Sequence, residues 1–210
     1  MRPYRGVPAE QRRARRRAAL LAAGLDVLGT QGWSAATVRG VCARAGLNDR
    51  YFYESFADLD TLLLAVVDDQ AAQAAEMIEA VARAAPRRPR ARTRAVVGAL
   101  VDFLAADPRR ARILAHEFPA SPLLQERRRG ITGELAGIFI AQVHEVFDEP
   151  PLGDEDLELT ALTVVGGLWE LLAAWFRGDV ETGREHLVDF VVALVLTSAD
   201  LTPALDHRLR

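Results

Sequence analysis

Apolar residues recur at three- and four-residue spacing along almost the whole chain, and no stretch alternates valine, isoleucine and threonine at strand length. That period puts side chains into stripes on helices rather than onto the two faces of strands. The chain is therefore expected to be all-α, with about nine helices marked off by caps and breakers. With 210 residues, 50% of them apolar, it is large enough to bury a core in one or two domains.

The punctuation is explicit. A first helix is expected over residues 10–30, ending at Gln31-Gly32. Thr37 is a suitable N-cap for a second, on which Val38, Val41, Cys42 and Ala45 form one stripe before Gly46. Asn48 caps a short third helix to about Glu54, and Asp58 caps a fourth to about Ala84. Pro86-Arg87-Arg88-Pro89 then breaks the chain. A fifth helix follows over about 90–106. Asp107-Pro108 opens a sixth to about Glu117, and Ser121-Pro122 opens a seventh that ends before Pro150-Pro151. The eighth runs from Asp154 to about Arg177. Thr182-Gly183-Arg184-Glu185 has the form of a capping box for the ninth, which Pro203 stops. Residues 1–9, with Pro3, Gly6 and Pro8, read as a loose arm.

Charge is unevenly distributed along this string of helices. Residues 1–50 hold ten arginines and three acids, a balance of +7, whereas residues 51–210 carry −10. A basic head on an acidic body suggests that the head alone meets a polyanion. Arg12, Arg13, Arg15, Arg16 and Arg17 precede an apolar stretch from Ala18 to Leu25 that imitates a signal peptide. Asp26 interrupts it, no small-residue cleavage pattern follows, and Leu21, Leu25 and Leu28 share one helix face. No apolar run approaches the ~20 residues of a membrane span, so no membrane partner is expected. The single cysteine, Cys42, excludes an intrachain disulfide and suits a reducing, cytoplasmic compartment.

Residues 37–56 carry the most information. They read as an amphipathic helix, a short turn containing Gly46, and a second, shorter helix, which is the layout of a helix-turn-helix. Phe52 and Phe56, four apart, can anchor the short helix in a core, leaving Asp49, Arg50, Tyr51 and Tyr53 outward. Arginine suits guanine edges or phosphate, tyrosine suits phosphate, sugars and thymine methyls, and Asp49 is a possible acceptor from cytosine. Arg39, near the start of the second helix, is a phosphate candidate.

The segment from about Ala14 to Ala74 resembles the DNA-binding domain of TetR-family transcriptional regulators. The matching residues are Gly32-Trp33, Thr37 with Arg39, Ala45-Gly46-Leu47, Tyr53 with Phe56, and Leu62-Leu63. The resemblance implies a dimeric repressor that binds double-stranded operator DNA. Carried over by position, it implies base or backbone contacts from Thr37, Arg39, Asn48, Asp49, Arg50, Tyr51, Tyr53 and Ser55. Ser55 stands where the family often has histidine, and Leu59 where it often has lysine; both departures remove candidate phosphate contacts. The implied domains are a helix-turn-helix head at 10–56, with the family-like segment reaching about 74, and a helical effector-binding and dimerisation body at 57–202.

In the body, the eighth and ninth helices are apolar around more of their circumference than a surface helix needs, so they are either central or buried against a second subunit. A homodimer with two such helices per subunit gives a four-helix interface, and the resemblance implies the same arrangement. TetR-like proteins usually hold a small-molecule pocket in this region, and Phe103, His116, Phe118, Phe139, His144 and Trp169 are candidates to line one. Motifs for metalloprotease, redox, P-loop or α/β-hydrolase chemistry are missing, and no histidine has glutamate three residues before it. No catalytic residue, metal or cofactor is expected. A helical interaction module with a head that does not bind DNA, and a helical-bundle enzyme, are the other readings.

Overall fold

The computed structural model describes residues 8–198. Most of the expected arm and the stop at Pro203 lie outside them. Among the described residues there are no strands. Helix α1 spans Ala9–Thr30, α2 Val38–Ala45, α3 Asp49–Tyr53 and α4 Leu59–Ala84, with a 3-10 turn Trp33–Ala35 after α1. Helix α5 is Pro89–Ala105. Helix α6 comprises Pro108–Arg112, a π-helical turn Ile113–Glu117 and a last stretch Phe118–Ala120. Helices α7, α8 and α9 are Pro122–Val146, Asp154–Arg177 and Arg184–Thr197. The chain divides into two compact units between Gln70 and Ala71, within α4.

In the head unit, α1 buries Leu20, Ala23, Gly24, Leu25, Val27 and Leu28; of the expected face, Leu25 and Leu28 are buried and Leu21 is half-buried. Gly24 is where α4 comes close: a Cβ there would lie 2.8 Å from Val66 Cγ2. Thr37 caps α2 by accepting a hydrogen bond from the Gly40 amide at 3.0 Å, and Gly46 ends it at φ 65°, a left-handed conformation that glycine adopts without Cβ strain. Asn48 Oδ1 accepts from the Tyr51 amide at 3.2 Å and so caps α3. Asp58 does the same for the Thr61 amide at the start of α4.

In the body unit, one apolar cluster joins Val97 and Val101 of α5, Leu114 of α6, Leu172 and Ala173 of α8, and Leu187, Val188, Val191 and Val192 of α9. Charged pairs stitch the same helices. Arg184 donates to both Asp102 carboxylate oxygens at 2.7 Å, and Arg94 meets Glu185 at 3.1 Å. Arg92, almost wholly buried, ties α5 to Gln142 and Glu145 of α7.

Three details depart from expectation. The sixth helix does not stop at Glu117. It passes through the π turn, where the Ala115 carbonyl accepts a bond from Arg177, and continues to Ala120. At the ninth helix the N-cap is Gly183, not Thr182; glycine has no side-chain oxygen to cap with, so the capping box does not form, and the Thr182 carbonyl accepts from Trp175 Nε1 at 2.8 Å. Finally, α8 is long and apolar enough to cross a membrane by length and composition. Its most apolar 18-residue window has mean hydropathy 1.6 and is only 28% buried. The acids Asp154, Glu155, Asp156, Glu158 and Glu170 break up this helix in sequence and hide that property from a search for continuous apolar runs.

Candidate nucleic-acid interface

A five-residue helix has no stability of its own, because one turn does not repay the fixing of its dihedrals. Helix α3 exists because Phe52 and Phe56 pin it: Phe52 is fully buried, Phe56 is nearly so, and their rings lie 6.0 Å apart. Below it, α2 contributes Val41 and Cys42. Burial pushes the Cys42 thiol up, and the neighbouring Asp49 carboxylate adds to the shift through its charge and a hydrogen bond. With its apolar side fixed, α3 turns Asp49, Arg50 and Tyr53 outward. The Arg50 side chain is 83% exposed and Tyr53 is 61% exposed, the latter with its ring edge-on to Phe52.

Not all the sequence candidates are equally available. Thr37 and Asn48 are exposed, but each commits its side-chain oxygen to a cap. Arg39 is exposed on the first turn of α2. Tyr51 is half-buried under the Arg16 guanidinium, which lies 4.4 Å above its ring. The Ser55 hydroxyl is turned inward, its Oγ buried with no hydrogen-bond partner among the described residues. The Ser55 carbonyl instead accepts from Arg17, whose guanidinium covers the Phe56 ring at 4.4 Å. Arg16 and Arg17 thus belong to the α3 neighbourhood. Sequence reading saw only their charge, because a contact across 38 positions leaves no local signal.

The six body candidates lie in different surroundings among the described residues. Phe118 and Trp169 touch edge-on at 4.9 Å, and Arg128 covers Trp169 while pairing with Glu170 at 2.5 Å. Phe103 is half-buried under Arg110, 3.9 Å from its ring. Phe139 is half-buried, and His116 is exposed on the π turn. Only His144 lines the open groove of about 610 Å³ between α7 and α8, together with Gly133, Ala136, Gly137, Ile140, Asp154, Leu157, Glu158 and Leu162.

Two capped helices joined at a left-handed glycine, with a short second helix displaying arginine and tyrosine, have the layout of a helix-turn-helix. Residues 20–66 match the model of the bacterial regulatory proteins of the tetR family. Over those residues the head is similar to that family's regulatory domain, and the chain shares its fold with solved proteins assigned to the family. No curated protein matches the sequence. Among solved structures, a protein of Syntrophomonas wolfei assigned to the TetR family has a TM-score of 0.73 at 16% identity, over 88% of this chain and 94% of that one. The regulator FadR from Bacillus subtilis, solved with stearoyl-CoA, has a TM-score of 0.72 at 17% identity, over 86% of this chain and 98% of that one. A TetR family regulator from Marinobacter aquaeolei has a TM-score of 0.60 at 20% identity, over 90% and 97%.

Proposed function

We propose that the protein is a ligand-responsive repressor that binds a palindromic operator as a homodimer in the cytoplasm. The observation that carries this reading is α3: a helix anchored by two phenylalanines, with Arg50 and Tyr53 projecting into solvent at the end of the arginine-rich segment 1–50. Arg50 is assigned to a guanine edge or a phosphate, Tyr53 to phosphate, sugar or a thymine methyl, and Arg39 to phosphate. Thr37, Asn48, Asp49 and Tyr51 contribute backbone contacts or hold the reading surface in place. Ser55, with its hydroxyl inward and its carbonyl accepting from Arg17, holds the end of α3 against α1.

Exposed apolar side chains on α8 and α9 support dimerisation: Leu159 is 58% exposed, Leu162 44%, Phe190 53% and Leu194 48%. Isolated exposed leucines need no explanation, but four on two helices favour a buried partner surface. Two copies would set their α3 helices in successive major grooves, ~34–36 Å apart. That a related fold binds stearoyl-CoA supports a small-molecule effector for this body, with Phe103, His116, Phe118, Phe139, His144 and Trp169 as lining candidates. Helix α4 has residues in both units and is the assigned lever. An effector shifts operator occupancy only by its difference in affinity for the two conformers.

The test is to select duplexes from a randomised pool and measure binding of Arg50→Ala and Tyr53→Ala. Each is expected to weaken the selected duplex by about 1–3 kcal/mol while the protein stays folded. Unchanged affinity in both variants would remove α3 from the interface.

A further inference from the structure

Glu54, the C-cap of α3, places a carboxylate beside the two arginines that the reading surface most depends on. Its Oε2 accepts from Arg16 of α1 at 3.2 Å, and its Oε1 lies 3.3 Å from Arg50 Nε, one turn back on α3. The two arginines differ in kind. Arg16 has only 22% of its side chain exposed, stacked on Tyr51, whereas Arg50 is 83% exposed. Arg16 is thus the packed partner and Arg50 the exposed one. Through Arg16, the carboxylate is attached to α1 and not merely to its own helix.

A negative charge beside a polyanion weakens binding, since each phosphate contact is won by cations. An exposed acid here therefore disfavours indiscriminate contact. Its geometry has a compensating effect. Glu54 engages Arg50 at Nε and leaves both terminal nitrogens of the guanidinium free to donate. Those two parallel donors are the ones a bidentate contact to guanine O6 and N7 requires. An untethered surface arginine samples many rotamers and reaches phosphate as easily as a base edge.

We propose that Glu54 is a positioning residue for sequence readout: held by Arg16, it orients Arg50 toward a base edge and withholds it from phosphates. This rests on the assignment of α3 as the reading helix. The loss of Glu54 should therefore strengthen binding to arbitrary DNA while weakening the preference for one sequence.

The experiment uses the full-length protein, a duplex selected by the wild type from a randomised pool, and a random-sequence duplex of equal length. Binding is followed by fluorescence anisotropy across a salt series. Glu54→Gln is expected to bind the random duplex more tightly, with a salt slope steeper by about 1, as one newly freed cation predicts. Discrimination between the two duplexes should fall about fivefold or more, the lower end of what one bidentate base contact supplies. Arg16→Gln removes the anchor and should lower discrimination in the same direction, which keeps the idea testable if one variant folds poorly. In an Arg50→Ala background, Glu54→Gln should leave discrimination unchanged, since its target is already gone. The proposal is overturned if Glu54→Gln retains full discrimination, if both duplexes weaken in parallel, or if its effect persists without Arg50. A wild type that selects no duplex at all would instead overturn the DNA-reading assignment of α3, and this proposal with it.

Discussion

Replacing Gly24 by alanine sets two opposing effects against each other, and the structure decides between them. In a helix interior alanine is favoured over glycine by about 1 kcal/mol, so α1 alone would gain. The added methyl, however, meets Val66 Cγ2 at 2.8 Å and two Leu62 carbons at 3.5 Å. Carbon atoms settle at about 3.5–4.0 Å, so the Val66 contact must open by roughly 0.7 Å or more. Val66 is buried and β-branched, with one strongly preferred helical rotamer, and Leu62 is fully buried. Relief therefore requires α1 to move against the head's part of α4. Overpacking of this kind costs about 1–3 kcal/mol, leaving Gly24→Ala destabilised by about 1 kcal/mol net. For a head of this size that lowers the melting temperature by about 4–8 °C. Circular dichroism melts of Gly24→Ala, Val66→Ala and the double variant test the reasoning. Removing the clashing methyl should turn the alanine at position 24 from a loss into a gain, a coupling of about 2 kcal/mol. A Gly24→Ala protein that melts higher than the wild type, with no coupling to position 66, would falsify the packing argument.

Phe52→Ala should cost the head about 3–5 kcal/mol and abolish selected-duplex binding at 37 °C while the body stays folded; chemical denaturation followed by hydrogen exchange separates the two units. Asp107→Asn tests a charged cap. Hydrogen bonds from the Arg109 side chain chiefly hold the Asp107 carboxyl below its ordinary range, helped by the Arg109 amide and nearby guanidinium charge and opposed by burial. A depressed carboxyl stabilises the fold above its unfolded value, about 3.9, and loses that contribution as pH falls through the folded value. The variant should thus melt a few degrees lower near pH 6, by about 1 kcal/mol or less given partial exposure, and the gap should close in acid. Phe190→Glu with Leu159→Glu should convert the proposed dimer to monomer, read by analytical ultracentrifugation; an unchanged mass would move the interface elsewhere.

Much of the head was legible because its signals are local. Thr37, Gly46 and Asn48 act within three residues of themselves, and Phe52 and Phe56 are separated by one helical turn. What could not be read were contacts between distant positions. Arg16 over Tyr51, Arg17 on the Ser55 carbonyl and the inward turn of the Ser55 hydroxyl depend on how α1 crosses α3. In the body, helix starts at Pro89, Pro108 and Pro122 follow from proline at the first turn, whereas the π turn at Ile113–Glu117, where the Ala115 carbonyl accepts from Arg177, 62 positions away, carries no local signal. The ninth helix likewise starts one residue later than the spacing suggested, at a Gly183 cap that has no side chain to close the box. The candidate effector residues were chosen for aromatic character alone, which does not distinguish core packing, as at Phe118 and Trp169, from a ligand wall.

Helix α3 keeps its structural support and its display on separate residues, and this has an evolutionary consequence. Its inner phenylalanines are constrained by packing, but Arg50 and Tyr53 bear little of the fold's stability, so exchanging them leaves the scaffold intact. With α3 as the proposed reading helix, descendants of such a gene would reach new target sites by altering a few exposed letters, without first acquiring compensating changes inside the domain.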